Sequence, residues 1–272
     1  MKSTLIAAAL IAFSAQGENA DVIRDRLDKY LIGYEPELST VIADELMTQR
    51  TQDRRWVVNN RRIRSEVAFI ALPGGVGWMG FRRVVDVNGK AIKDSGAALG
   101  DLMRRGRGDN YQEARELLAA SAAHNLGAAR TINLPNLPLE LLHPRHRRRF
   151  SHEIFARDKL HGVPTVLLRL TEHTSPTIIR QADGGDMNTV VWAWIEPDTG
   201  RLWRAQVNAR DARMGVGSFS SEIRVDFKDD KKVGMLVPDS MTETFFVDRG
   251  SGSGTAKYSN YRRFETSARI VQ

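Results

Sequence analysis

The chain has 272 residues and a formal charge of +7, with 40 Lys and Arg against 33 Asp and Glu. It has no cysteine, which excludes disulfides, a thiol nucleophile, Cys-ligated zinc, iron–sulfur clusters and a lipid thioether. A hydrophobic fraction of 42% is that of a globular protein able to bury one large core or two small ones.

Met1-Lys2 gives a short basic start, and Thr4 to Ala15 is an apolar run too short for the ~20 residues that cross a bilayer. Ala15-Gln16-Gly17 sets small residues where a signal peptidase cuts. Residues 1–17 therefore read as a secretory signal cleaved after Gly17, which implies a periplasmic or secreted chain. No other apolar run approaches spanning length, so no transmembrane segment is expected after cleavage.

Residues 21–34 carry an apolar stripe at helical spacing (Val22, Leu27, Tyr30, Leu31, Tyr34). Pro36 interrupts it. A second helix is expected from Glu37 to about Gln49, with Leu38, Val41, Ile42 and Leu46 as its stripe. From Trp56 the period becomes two, predicting strands at 56–64, 65–72 and 78–87, the last closed by an Asn88-Gly89 hairpin turn. Helices are expected at 97–105, 111–125 and 137–143, the last ended by Pro144.

After Arg149 the pattern is strand and turn. Strands are expected at 150–157, 164–172, 177–181, 190–196, 202–209, 220–228, 235–237, 241–247 and 255–267, with a glycine-rich turn at Gly250–Gly254. Short turns make neighbouring strands antiparallel, so this half reads as a meander. In Val190–Glu196 both faces are apolar: Val191, Ala193 and Ile195 point one way and Trp192 and Trp194 the other. Such a strand is covered on both sides. The division expected is a signal at 1–17, a helical and hairpin region at 18–148 and the meander at 149–272, the last two able to form one continuous domain.

Few motifs carry chemistry. Gly75-Val76-Gly77-Trp78-Met79-Gly80 matches the dinucleotide fingerprint in letters, but a β-branched strand follows where a helix must hold the pyrophosphate. His143-Pro144-Arg145-His146 has chelating spacing, but Pro144 breaks the helix and the flanking arginines repel a cation. No metal site or cofactor is expected. Serine-hydrolase elbows and P-loops are absent from the sequence, and no catalytic residue is assigned. Arg145, Arg147, Arg148 and Arg149 form the densest basic cluster. Behind an export signal its partners would be anionic lipid headgroups, phosphorylated glycolipids or an acidic envelope protein, with no nucleic acid.

The stretches Trp192-Ala193-Trp194-Ile195-Glu196-Pro197-Asp198-Thr199-Gly200-Arg201, Gly234-Met235-Leu236-Val237-Pro238 and Ala256-Lys257-Tyr258-Ser259-Asn260-Tyr261-Arg262-Arg263-Phe264 resemble a group of uncharacterised exported bacterial proteins. More distantly, the C-terminal half resembles the lipoprotein-localisation superfamily of LolA, LppX and RseB. It shares their W-I-D-P-x-T-G strand–turn–strand, with Glu196 in place of Asp. Residues 50–148 add elements beyond the minimal family pattern. The resemblance implies a strongly curved antiparallel half-barrel whose concave face takes lipid or lipoprotein acyl chains.

The expected architecture is α+β: a half-barrel meander packed against N-terminal and inserted helices. The expected function is an exported, non-enzymatic binding protein with a lipidic ligand. Trp192, Trp194, Trp203, Phe227 and Phe245 would line its groove, and Arg145, Arg147, Arg148 and Arg149 would meet anionic groups. One alternative is an envelope protein-interaction or sensor module without a small ligand. A second is a hydrolase using His143 or His146 with a carboxylate such as Glu140 or Glu153.

Overall fold

The computed structural model describes residues 19–53, 58–71, 77–92, 119–127, 130–213, 219–247 and 250–263. The expected signal peptide, the helix at 97–105 and most of that at 111–125 lie outside these residues; 119–123 are helical.

Helix α1 (Ala20–Leu38) starts at Asn19, whose side chain accepts a hydrogen bond from the Asp21 amide and caps the first turn. Ile23, Leu27, Leu31, Tyr34 and Leu38 recur every three to four residues and are buried along one stripe. The helix passes through Pro36 and stops at Ser39, whose hydroxyl and amide both donate to the Glu35 carbonyl.

The expected second helix does not form. Residues Val41–Asp53 are a strand, β1. Its inward residues include Glu45 and Gln49, polar groups buried with partners on other elements. A period-two strand with polar inward positions mimics helical spacing in the sequence.

β1 is followed by β2 (Val58–Ala71), β3 (Trp78–Val87) and the two-residue β4 (Lys90–Ala91). Two expected strands thus merge in β2. The Asn88-Gly89 turn forms as expected, with both residues at positive φ (52° and 81°). Helix α2 (Leu137–Leu142) and a 3-10 helix (Pro144–Arg149) lead into β5 (Phe150–Leu160), β6 (Val163–Glu172), β7 (Met187–Ile195), β8 (Leu202–Asp211), β9 (Ser220–Asp230), β10 (Met235–Val247) and β11 (Gly250–Arg263). Residues 177–181 contribute only a single bridge, Arg180 to Asp186. Two short expected strands join in β10 across a bulge at Pro238–Ser240.

All eleven strands form one sheet in the order β4-β3-β2-β1-β11-β10-β9-β8-β7-β6-β5, every neighbour antiparallel. Pairing of β1 with β11 carries the sheet unbroken across residue 149. The two ends, β4 and β5, do not meet, so the sheet is a curved half-barrel and not a closed barrel.

Gly250–Gly254, expected as a turn, belongs to central strand β11. The glycines make room for bulk from the next strand: a Cβ on Gly252 would lie 2.1 Å from the Phe245 ring. Phe245 is its direct cross-strand partner. The ring covers the bare backbone that glycine leaves.

Inside the curve, the α1 stripe packs with Met47, Val67, Leu168, Val191, Ala193 and Val225 in one continuous core. The β7–β8 turn presses on α1 so closely that a Cβ on Gly200 (φ 74°) would come within 2.2 Å of the Arg26 carbonyl oxygen.

Candidate functional site

The sequence-selected aromatics do not share one groove. Phe227 and Phe245 are buried inside the curve, and Trp203 is buried in the core with its indole facing Glu196 at 3.4 Å. Trp192 and Trp194 point to the outer face. There Trp192 meets the edge of Phe155 (4.9 Å between centroids) and lies under Arg169, while Trp194 lies under Arg204 and donates to Asp158 (3.0 Å). The second apolar side of β7 is therefore covered by side chains of neighbouring strands, including Phe155, which a bulge in β5 throws outward.

Three of the four clustered arginines bind inside the molecule. Arg145 reaches Glu140 at 2.9 Å and also Glu35. Arg147 pairs with Asp25 (2.5 Å) and Asp28 (2.8 Å), and Arg149 with Glu172 (3.0 Å). These pairs tie the 3-10 helix to α1 and β6. Arg148 is exposed.

The histidines join the same network. His146 Nε2 lies 2.7 Å from Glu140, and His143 Nε2 lies 2.7 Å from Glu35. Burial, reinforced by Arg145, lowers the His143 pKa. Glu140 also accepts the Trp78 amide at 2.8 Å. Glu153 is elsewhere, exposed and paired with Arg169. Among the described residues no His and carboxylate group has metal-binding geometry.

A second buried network fills the curve under β1, β10 and β11. Arg82 and Glu45 form a two-pronged ion pair (2.5 and 2.7 Å), and Tyr258 donates to Glu45 (3.0 Å). Burial pushes the Arg82 pKa down, but Glu45 more than offsets it and the net shift is upward. Residues 125–127 and 130–136 lie over this end. Arg130 binds Glu243 (2.7 Å), Gln49 binds Asn125 (2.7 Å), and Arg82 donates to the Asn133 carbonyl (2.8 Å). Gly80 lets the segment close in, since its Cβ would lie 2.2 Å from Asn136.

The open site that sequence reasoning missed lies between α1 and the turns at one end of the sheet. A groove of about 800 Å³ runs beside Tyr30, Gly33 and Tyr34 of α1, the β7–β8 turn at Asp198–Arg201, and Gly234–Leu236 at the start of β10. Its apolar wall is the stacked pair Tyr30–Tyr34 (5.1 Å, 22°) with Met235 and Leu236. The Tyr34 hydroxyl is spent on the Leu236 carbonyl (2.8 Å), and burial raises both phenol pKa values, so neither tyrosine ionises near neutrality. Arg26, Lys29 and Arg201 stand at the rim with Glu37 and Asp198. Glu37 faces Arg263 at 3.3 Å, and Arg201 pairs with Asp229. Lys29 is exposed.

Gly33 is the informative residue of the groove. A mid-helix glycine costs about 1 kcal/mol against alanine. No atom lies within 4 Å of where its Cβ would be, so packing does not require it. It is exposed and lines the groove.

No family model matches the chain, and no curated protein matches it. Among solved structures it is similar to a putative outer membrane lipoprotein-sorting protein domain from Vibrio parahaemolyticus (12% identity, TM-score 0.42, 90% of this chain and 93% of that one). It is also similar to a DUF1329 family protein from Desulfovibrio piger (10%, 0.45, 92% and 95%). A third is the LolA superfamily protein NE2245 from Nitrosomonas europaea (10%, 0.35, 93% and 97%). Two of these three are a lipoprotein-sorting domain and a LolA superfamily protein, the group that the sequence is expected to resemble. Among the described residues, no helix is long and apolar enough to cross a membrane.

Proposed function

We propose that the chain is an exported binding protein, periplasmic or secreted, that holds an amphiphilic lipidic ligand in the groove beside α1. The observation that carries this reading is Gly33: a helix-weakening residue with nothing packed on it, at the wall of a groove within the usual size range of ligand sites. The acyl part would lie along Tyr30, Tyr34, Met235 and Leu236. A polar or anionic head would meet Arg26 and Lys29.

The test is uptake of lysophosphatidylglycerol by the full chain purified without detergent, with mass spectrometry of its solvent extract. Gly33→Trp fills the groove and leaves the buried stripe of α1 intact. It is expected to abolish uptake without lowering Tm, whereas Trp192→Ala leaves uptake unchanged. Equal uptake by Gly33→Trp, or none by the natural chain, overturns the reading.

The inner face under β1, β10 and β11 is already bound by Asn125, Arg130 and Asn133. That favours, as the second reading, a docking module without a small ligand, which predicts a clean extract.

A further inference from the structure

The outer face of the central strands carries a second feature, on the opposite side of the sheet from α1 and independent of the groove. The registers of β10, β11, β1 and β2 align four outward positions on each strand into four cross-strand rows. One row runs Ser240–Lys257–Leu46–Arg64, the next Thr242–Thr255–Thr48–Arg62. The third ends in Arg50 and Asn60, and the fourth runs from Phe246 to Val58. No Asp or Glu occupies any of these positions. The carboxylates of the adjoining row, Asp44 and Glu66, are held by Arg262, and Glu66 also by Arg83.

Arg50, Arg62 and Arg64 are exposed, and Arg64 stands opposite Asp86 and lends its charge to Asp44. Lys257 is exposed and faces only Asp239, at 3.6 Å. This contrasts with the Arg145–Arg149 cluster, where three of four cations are neutralised inside the molecule. Between and beside the cations stand large exposed apolar side chains: Leu46 (38% exposed), Val58 (39%) and Phe246 (55%). The remaining positions are mostly Ser and Thr. Strand spacing makes the face about 15 Å by 20 Å.

We infer that this face docks the protein on an anionic lipid surface. Guanidinium forks fit phosphate oxygens, and hydroxyls complete the headgroup contacts. Leu46, Val58 and Phe246 reach the acyl boundary, the arrangement of a peripheral membrane surface. The positions of these four rows carry no carboxylate; the bordering ones are Asp86, opposite Arg64 on β3, and Asp226 and Glu222, opposite Ser240 and Thr244 on β9. A protein partner would instead be matched by pockets or charges of both signs.

The test is co-sedimentation of the full chain with vesicles of phosphatidylcholine alone or with 30% phosphatidylglycerol, at low and high salt. The expected result is binding to the phosphatidylglycerol vesicles only, weakened by salt. Each cation removed should weaken it by about fivefold. Arg50→Ser/Arg62→Ser/Arg64→Ser should nearly abolish it with an unchanged circular dichroism spectrum. Leu46→Ser/Phe246→Ser should weaken it while sparing the salt dependence. The groove variant Gly33→Trp should bind vesicles normally, which separates this face from the proposed ligand site. Binding unaltered by the triple Arg substitution overturns the assignment. So does capture by a soluble polyanion such as heparin with no binding to phosphatidylglycerol vesicles, since that fits an acidic macromolecule and not a membrane.

Discussion

The two ends of the inner face solve the same burial problem by opposite chemistry. Under β6 to β9 the inward residues are mostly Leu, Val, Ala and Ile, and the stripe of α1 packs with them. Under β1, β10 and β11 they include Glu45, Gln49, Glu243 and Tyr258, and residues 125–127 and 130–136 cover them with hydrogen bonds and ion pairs. The first surface accepts any apolar cover of the right shape. The second accepts only a cover whose donors and acceptors match, because an unpaired buried charge costs several kcal/mol. The apolar end gives bulk stability, and the polar end fixes which segment sits there.

That contrast sets an order of effects. The largest is expected for Glu45→Ala, which strands Arg82 in the core. Denaturant unfolding should show a loss of about 3–5 kcal/mol, and Glu45→Leu/Arg82→Met should recover most of it. If the single substitution costs less than about 1 kcal/mol, the polar end is not held by this pair. Next comes the apolar end: Leu27→Ala should cost about 2–5 kcal/mol by the same measurement, with no recovery from any charge change.

The smallest effect concerns pH. The His143 pKa is held below its unfolded value by burial and Arg145, so the unfolded chain takes up that proton first. Stability is complete above about pH 6.5 and declines as pH falls through the unfolded pKa towards the folded one. A Tm series from pH 8 to 5 should fall more steeply for the natural chain than for His143→Gln. Parallel curves would assign the acid sensitivity to other groups.

The same contrast explains what was legible in the sequence. Regular periodicity could be read: α1, the Trp78–Val87 strand with its Asn88-Gly89 turn and most of the C-terminal meander follow from periodicity and turn residues. The polar end could not. Inward Glu45 and Gln49 disguised β1 as a helix, and the glycines of β11 looked like a turn because their partner, Phe245, lies on another strand. The Arg145–Arg149 cluster showed its charge in the sequence but not its partners on α1 and β6. The outer basic face was invisible for the complementary reason. Arg50, Arg62 with Arg64, and Lys257 are scattered along the chain, and only the β1–β2 and β1–β11 registers assemble them.

The pairing of β1 with β11 has a kinetic consequence. Val41 sits opposite Arg263, and Asp53 opposite Gly250. Closing contacts across so much intervening chain is slow, because loop entropy is lost before any contact compensates for it. The first hairpins can therefore zip early, but β1 keeps one bare edge until residues 250–263 are available. The sheet is completed at its centre last, by a strand whose first half, Gly250 to Ala256, is all small residues.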